Sequence, residues 1–202
     1  MAGPRPTPAF ARATLYFANI STGTVFGHIY PQRYPNPLGC GKTPSRFSDP
    51  RRRVESNRFG VLYLGASLNV CFIETILRDR RNGTVGDFLI DEGELRTGQY
   101  AEIRVAVPLS LVDLRGNGRV RMGVPSDVAG GSRQTLARAW SLAFHSHPVA
   151  PDGIIYPSRL NGETNLAIYD RAVTKLTVAR TTELIDASGL ARVLNDLSVA
   201  LA

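Results

Sequence analysis

Three observations predict a single mixed α+β domain. The first is size: 202 residues, 43% of them hydrophobic and 20% charged, suffice for one domain with a sizeable core and are too apolar for a disordered chain. The second is the interleaving of many short apolar or alternating runs with a few stretches of helical period. The third is continuity, because neither an internal repeat nor a low-complexity linker divides the chain. Residues 1–13, rich in Pro and Ala, are expected to form a loose tail, and residues 14–202 the domain.

The elements follow in order. Residues 25–30 predict a first strand, closed by Pro31. Residues 31–58 carry Pro31, Pro35, Pro37, Pro44 and Pro50 among many arginines, and loops of that length in compact domains often carry function. Gly-Val-Leu-Tyr-Leu-Gly over residues 60–65 predicts a short apolar strand. Over residues 68–78 the apolar positions Leu68, Cys71, Phe72, Ile76 and Leu77 fall near a 3.6 period, and Ser67 is a suitable N-cap. Residues 88–90 suggest a short strand or turn, and residues 100–107 alternate until Pro108 stops them. Residues 109–114 and 120–124 are shorter strand candidates. Residues 134–144 predict a helix ended by His145-Ser-His-Pro148. Strands are expected at 153–156, 165–169 and 173–179, and an amphipathic terminal helix over 189–201.

The formal net charge is +7, with Arg far outnumbering Lys, which suits an anionic ligand or an acidic protein partner. Apart from Arg51-Arg-Arg53 and Arg78-Asp-Arg-Arg81 the arginines are scattered. With no zinc-finger spacing and no regular basic–aromatic interleaving, the sequence argues against direct nucleic-acid binding. No apolar run approaches the roughly 20 residues that span a bilayer. The N-terminus lacks the charged start and apolar core of a signal peptide, so a cytoplasmic protein without membrane association is expected. Cys40, in a Gly-rich loop, and Cys71, in an apolar run, predict neither a disulfide framework nor a metal site, and no motif supports Cys40 as a nucleophile.

The stretch from Arg58 to Glu74 is the most informative. It reads as a strand carrying Tyr63, a small-residue turn, and a helix carrying Glu74. A carboxylate on an otherwise apolar segment is costly to bury unless it is paired, hydrogen-bonded or protonated. An aromatic platform beside a lone carboxylate can hold a flat, positively charged ring and stabilise a cationic transition state. Taken singly, each residue has an ordinary explanation. Tyr63 can be a strand tyrosine with a satisfied hydroxyl, Glu74 can pair with Arg78 at i+4, Ser158 can be a turn residue and Arg46 a solvated loop arginine. His145 and His147 read as helix-end or loop residues rather than catalytic ones.

Three blocks of this sequence resemble the RES domain family, named for its Arg, Glu and Ser and best known from toxins of bacterial toxin–antitoxin pairs. Ser45-Arg-Phe-Ser-Asp-Pro50 is similar to the family's Arg motif. Leu62-Tyr-Leu-Gly-Ala-Ser through Phe72-Ile-Glu-Thr-Ile-Leu77 is similar to its Tyr and Glu block. Asp152-Gly-Ile-Ile-Tyr-Pro-Ser-Arg-Leu-Asn-Gly-Glu-Thr-Asn165 is similar to its Ser block. Together they span about residues 25–180. Two departures stand out. Residues 50–57 lengthen the gap between Arg46 and Tyr63, leaving Arg53 and Arg58 as reserve cations. In the first strand His28 takes the place where members often carry Arg, with Arg33 available to supply the charge.

The resemblance implies an ADP-ribosyltransferase-like fold with twisted β-sheets flanked by helices. It implies an enzyme that binds NAD as its substrate and breaks the nicotinamide–ribose bond by hydrolysis or phosphorolysis, with no cofactor and no metal. Glu74, Arg46 and Tyr63 are the catalytic candidates. Arg46, Tyr63, Ser158, Asn165, His28 and Arg33 are the substrate-binding candidates. Loss of nicotinamide leaves positive charge on the ribose, as in glycoside hydrolysis, which Glu74 would stabilise. Tyr63 would stack on the nicotinamide ring, Arg46 would pair with the pyrophosphate through its planar fork, and Ser158 would bond a phosphate or ribose oxygen. A toxin of this family implies an antitoxin partner with a helix-turn-helix domain, and a homodimer is left open. Two other readings follow from the same residues: ADP-ribose transfer to a macromolecule, or a degenerate module that binds NAD or a partner without turnover. Protein-arginine transfer is less attractive because Phe72 stands two residues before Glu74, where many transferases carry a second carboxylate.

Overall fold

Alternation in the sequence sets most of the strands, and glycines set where helices may approach them. The computed structural model describes residues 3–51 and 54–202. Arg53, one of the two reserve cations, lies outside the described residues. The strands are β1 (Phe17–Ile20), β2 (Val25–Pro31), β3 (Val61–Gly65), β4 (Phe88–Ile90), β5 (Gly98–Val105), β6 (Leu109–Asp113), β7 (Gly153–Pro157), β8 (Thr164–Tyr169), β9 (Leu176–Glu183) and β10 (Val199–Leu201). The helices are α1 (Leu68–Phe72), which continues as a π-helical turn over Ile73–Leu77, α2 (Glu92–Arg96), α3 (Gly116–Arg121), α4 (Asp127–Gly130), α5 (Thr135–His145) and α6 (Leu190–Asp196).

Eight strands form one sheet in the order β1-β6-β7-β8-β3-β2-β5-β9, and β10 pairs with β4 in a small second sheet. Within the large sheet only β6 and β7 run parallel. The sheet is curled. Leu62 and Leu64 of β3, Ile155 of β7 and Leu166 and Ile168 of β8 share one core with Phe26 and Tyr30 of β2 and Ala101, Ile103 and Val105 of β5. Residues from both halves meet only if the halves fold toward each other, and the right-handed twist of strands provides that bend. On the outer face of β7, β8 and β3, a second core buries Val61, Ile154, Tyr156, Ala167 and Tyr169 under Val128 and Ala129 of α4 and Leu136, Trp140 and Phe144 of α5. A third gathers Cys71, Phe72 and Ile76 near Leu95, Leu190 and Val193. The α+β single-domain expectation therefore holds.

Four sequence expectations change. The segment expected to be a loose tail is anchored to the core, though much of it stays exposed: Phe10 is 7% exposed, meets Trp140 edge-on at 4.9 Å, and the Trp140 indole N–H donates to Pro4 O at 3.0 Å. An aromatic three residues beyond Thr7 outweighs the Pro-rich composition around it. Residues 120–124 are not a strand, because α3 runs through Arg121 and Gly123, at φ +66°, ends it. The terminal helix stops at Asp196, Ser198 takes φ +48°, and Val199–Leu201 pair with β4 instead. Finally, the strand expected at 173–179 begins only at Leu176, after a 3-10 turn over Asp170–Lys175.

His145 closes α5 by stacking flat on Phe59, with centroids 4.1 Å apart and planes 9° apart. Burial, with Arg171 nearby, pushes its pKa down to about 4. The unfolded chain therefore binds this proton more readily than the folded one. Its contribution is complete above the ordinary histidine range and is lost as pH falls from about 6.5 to about 4. Burial of His28 lowers its pKa too and adds to the same loss. His145→Phe keeps the stack and removes the titration. Its melting temperature should fall less than that of the wild type between pH 7 and pH 4.5, and equal pH slopes in the two proteins would remove His145 from the account.

Candidate active site

Glycine placement explains why Glu74 sits where it does. Gly65 pairs with Gly27 at the one register point where β3 and β2 ladder together. A Cβ on Gly65 would lie 2.6 Å from Cys71 Sγ and 2.7 Å from Val70 Cγ1, and one on Gly27 would lie 2.9 Å from the same sulfur. Two bare backbone positions thus let α1 lie directly on the seam between the halves of the sheet. Ser67 caps this helix, its Oγ accepting from Val70 N at 3.1 Å. After Phe72 the helix widens, with Arg78 N donating to Ile73 O at 2.7 Å across five residues. Such π-turns recur at functional sites because the extra residue re-aims the side chains within it. Here Ile73, Ile76 and Leu77 are buried while Glu74 and Thr75 are half-buried.

The Glu74 carboxylate accepts from Asn165 Nδ2 at 3.0 Å and makes no ion pair among the described residues. Arg78, its expected i+4 partner, instead donates from Nε to the Glu74 backbone carbonyl at 3.2 Å. Asn165 lies in β8, paired on one side with Gly65 and on the other with Tyr156 of β7. Tyr63, Gly65, Asn165 and Tyr156 therefore share one face of the sheet. The charge of Glu74 bears on Tyr156, whose phenol burial pushes well above its ordinary range, while the charge of Arg46 acts on the same phenol in the opposite sense.

Arg46 is held by its neighbours in sequence. Phe47 is fully buried, edge-on to Tyr156 at 4.8 Å, and Ser141 Oγ donates to its carbonyl at 2.7 Å. The Tyr63 hydroxyl accepts from Phe47 N at 2.8 Å and shares a hydrogen bond with Ser45 Oγ at 2.9 Å. Burial is the main reason its pKa is raised. Tyr63 thus holds the residues on both sides of Arg46, Phe47 by its backbone N–H and Ser45 by its side-chain hydroxyl. Arg46 Nη1 donates to Gly131 O at 2.8 Å. Just beyond, Asp49 accepts from Arg51 Nε at 2.8 Å and from Arg51 N at 2.9 Å. Burial alone would raise Asp49, but these bonds outweigh it and hold its carboxyl below the usual range. Tyr63→Phe should cost about 1–3 kcal/mol, because it leaves the buried Phe47 N–H without an acceptor. Urea denaturation would measure that loss, and an unchanged midpoint would mean that the hydroxyl does not anchor the loop.

The second wall is the turn between β7 and β8. Ser158 is 4% exposed, and its Oγ accepts from Leu160 N at 3.1 Å, so it shapes this turn. Glu163 ties the turn to the helix start, accepting from Ser67 Oγ and Asn69 Nδ2, each at 2.5 Å, and from Asn161 Nδ2 at 2.9 Å. Arg159 crosses to Asp79 just past the π-turn and pairs with its carboxylate. That bond, more than any other influence, holds Asp79 below its ordinary range, and the charge of Arg46 helps.

The structure thus brings together Arg46, Tyr63, Glu74, Ser158 and Asn165. It does not bring in His28 or Arg33. His28 follows Gly27 in β2 and so faces away from Tyr63, with its Nδ1 2.8 Å from Pro37 O and its ring stacked on Tyr30. Arg33 is exposed in the turn after β2, over the Tyr34 ring at 5.1 Å, and lines an open hollow of about 550 Å³ with Pro31, Gln32 and Thr97. Arg58, the remaining reserve cation, has a buried Nε without a hydrogen-bond partner among the described residues.

Sequence reasoning passed over Tyr156, Arg159 and Glu163, although all three stand within the Ser block. Strand alternation from Tyr156 to Ser158, and the charges flanking the turn, were the available signals. It also missed Arg138 of α5, whose buried Nε has no partner among the described residues and whose charge bears on Tyr63. Nothing in the helix pattern marked it.

A RES domain family model matches residues 25–187, and the chain belongs to that family. A curated relative, a probable toxin y4kH of Sinorhizobium fredii (strain NBRC 101917 / NGR234), is 41% identical over 126 residues, which is 62% of this chain and 99% of the relative. Among solved structures, a chain from the M. tuberculosis MbcT–MbcA toxin–antitoxin complex matches with a TM-score of 0.61 at 18% identity, covering 82% of this chain and 86% of that one. That likeness shows a shared fold.

Proposed function

We propose that the protein is the toxin of a toxin–antitoxin pair and acts by cleaving the nicotinamide–ribose bond of NAD. The observation that carries this reading is the setting of Glu74: a half-buried carboxylate held, among the described residues, by one neutral donor, Asn165, with Tyr63 and Tyr156 on the same sheet face. A carboxylate held this way can turn toward a cation that forms during reaction. As the C–N bond breaks, nicotinamide leaves as a neutral ring with the bonding pair, and the ribose carbon gains positive charge facing Glu74. Water, losing a proton, or inorganic phosphate then bonds that carbon. The products are nicotinamide with ADP-ribose or with its 1-phosphate. Arg46 holds the pyrophosphate, and Tyr63 holds Arg46 in place as much as it offers a ring face.

The family match, the probable-toxin relative and the fold shared with a toxin–antitoxin complex support the toxin reading. The net charge of +7 suits an acidic segment of an antitoxin, expected to carry a helix-turn-helix domain. No helix among the described residues is long and apolar enough to cross a membrane. Induced expression in a bacterial host should arrest growth as the NAD pool falls, and Glu74→Gln should do neither. Arrest with a full NAD pool would favour ADP-ribose transfer to a macromolecule instead.

A further inference from the structure

The pair between Arg159 and Asp79 has a geometry that an ordinary surface ion pair does not explain. It joins the two walls of the site. Asp79 follows Glu74 by five residues, just beyond the π-turn, and Arg159 follows Ser158 in the β7–β8 turn. Arg159 is an exposed residue, yet its side chain is 24% exposed, against 54% for Asp79. Arg159 reaches Asp79 with Nη2 only, and among the described residues its Nε and Nη1 donate to nothing. Asp79 also accepts weakly from Asn82 Nδ2 at 3.3 Å. A planar fork held against a carboxylate between the two walls of the site, with two nitrogens that donate to no group among the described residues, is suited to a second anion.

We propose that Arg159 is a second substrate-phosphate cation, opposite Arg46, and that Asp79 is a built-in stand-in anion that the substrate's diphosphate must displace. This rests on the NAD-cleaving reading for its substrate but not for its chemistry, since any diphosphate would show it. The charges around the pair agree. Arg46 also acts on Asp79, so the two arginines bear on one carboxylate, and Glu74 acts on Arg159. Asp79 therefore occupies a place where two arginines favour negative charge. It raises the Michaelis constant without touching the bond that breaks. A structural latch between the walls would behave differently, because losing either partner would then have the same effect.

The test compares wild type with Asp79→Asn, Arg159→Gln and Arg159→Lys, reading the affinity for inorganic pyrophosphate and ADP-ribose by calorimetry and the KM and kcat for NAD. Arg159→Gln should weaken both ligands and raise KM roughly tenfold, the value of one charge-assisted hydrogen bond, with kcat much less altered. Arg159→Lys should recover part of that loss. Asp79→Asn should tighten the ligands and lower KM about two- to fivefold, the range of an exposed ion pair. Opposite signs for Asp79→Asn and Arg159→Gln establish the proposal. Equal losses in both variants, or no change in either, overturn it, and melting curves show whether a loss is one of folding. If wild type releases no nicotinamide, the NAD reading fails, and the pyrophosphate affinities still decide the role of Arg159.

Discussion

Glu74→Gln should lower nicotinamide release by about 10²–10³-fold, the usual cost of removing one preorganised electrostatic partner of a transition state. The substitution is conservative in shape. Its amide oxygen can still accept from Asn165 Nδ2, which the carboxylate now does at 3.0 Å. The π-turn that aims residue 74 is closed by backbone groups of Ile73 and Arg78 and is unaffected. Only the charge changes. The fall should appear in kcat and kcat/KM together, because the interaction is made with charge that develops as the bond breaks. A fall in affinity alone, with kcat retained, would mean that Glu74 binds the ground state and that another group carries the chemistry.

Gly65→Ala should lower both stability and activity, and for a reason unrelated to the intrinsic preference of the residue. The new Cβ would stand 2.6 Å from Cys71 Sγ, 2.7 Å from Val70 Cγ1 and 3.3 Å from the Cys71 backbone nitrogen. Both residues belong to α1 and both are buried, so no flexible side-chain end can yield. The helix must lift from the sheet. Overpacking of this kind costs about 1–3 kcal/mol. Because α1 leads directly into the π-turn that carries Glu74, a displacement near 1 Å should also cost roughly 10²-fold in activity. Gly130→Ala is the fitting control, as its Cβ would meet nothing within 4 Å. If Gly65→Ala melts like Gly130→Ala and keeps its activity, α1 is not seated on the glycine seam in the way described.

Much of this site was legible in the sequence because its parts are local. Ser67 announces the cap of α1, the apolar spacing after it announces the buried face, and the quoted blocks place Arg46, Tyr63, Glu74, Ser158 and Asn165 on elements that do converge. What escaped depends on which segments meet. The role of Tyr63 as the clamp on Ser45 and Phe47 needs a loop to fold back across 16 to 18 residues, which no period encodes. The Asp79–Arg159 pair spans 80 residues. His28 looked available because it occupies the expected place along β2, yet strand alternation turns it to the other face once Gly27 is fixed against Gly65. The N-terminal segment was misread for a similar reason. Its composition suggests a tail, but Phe10 alone, set against Trp140 and Phe144, is enough to bind it to the core.

The most direct test of the account is the release of nicotinamide from NAD by the purified wild-type protein, followed chromatographically with and without inorganic phosphate. Nicotinamide should accumulate together with an equal amount of ADP-ribose, or of its 1-phosphate where phosphate is the acceptor. A well-folded protein that leaves NAD intact in both buffers would contradict it.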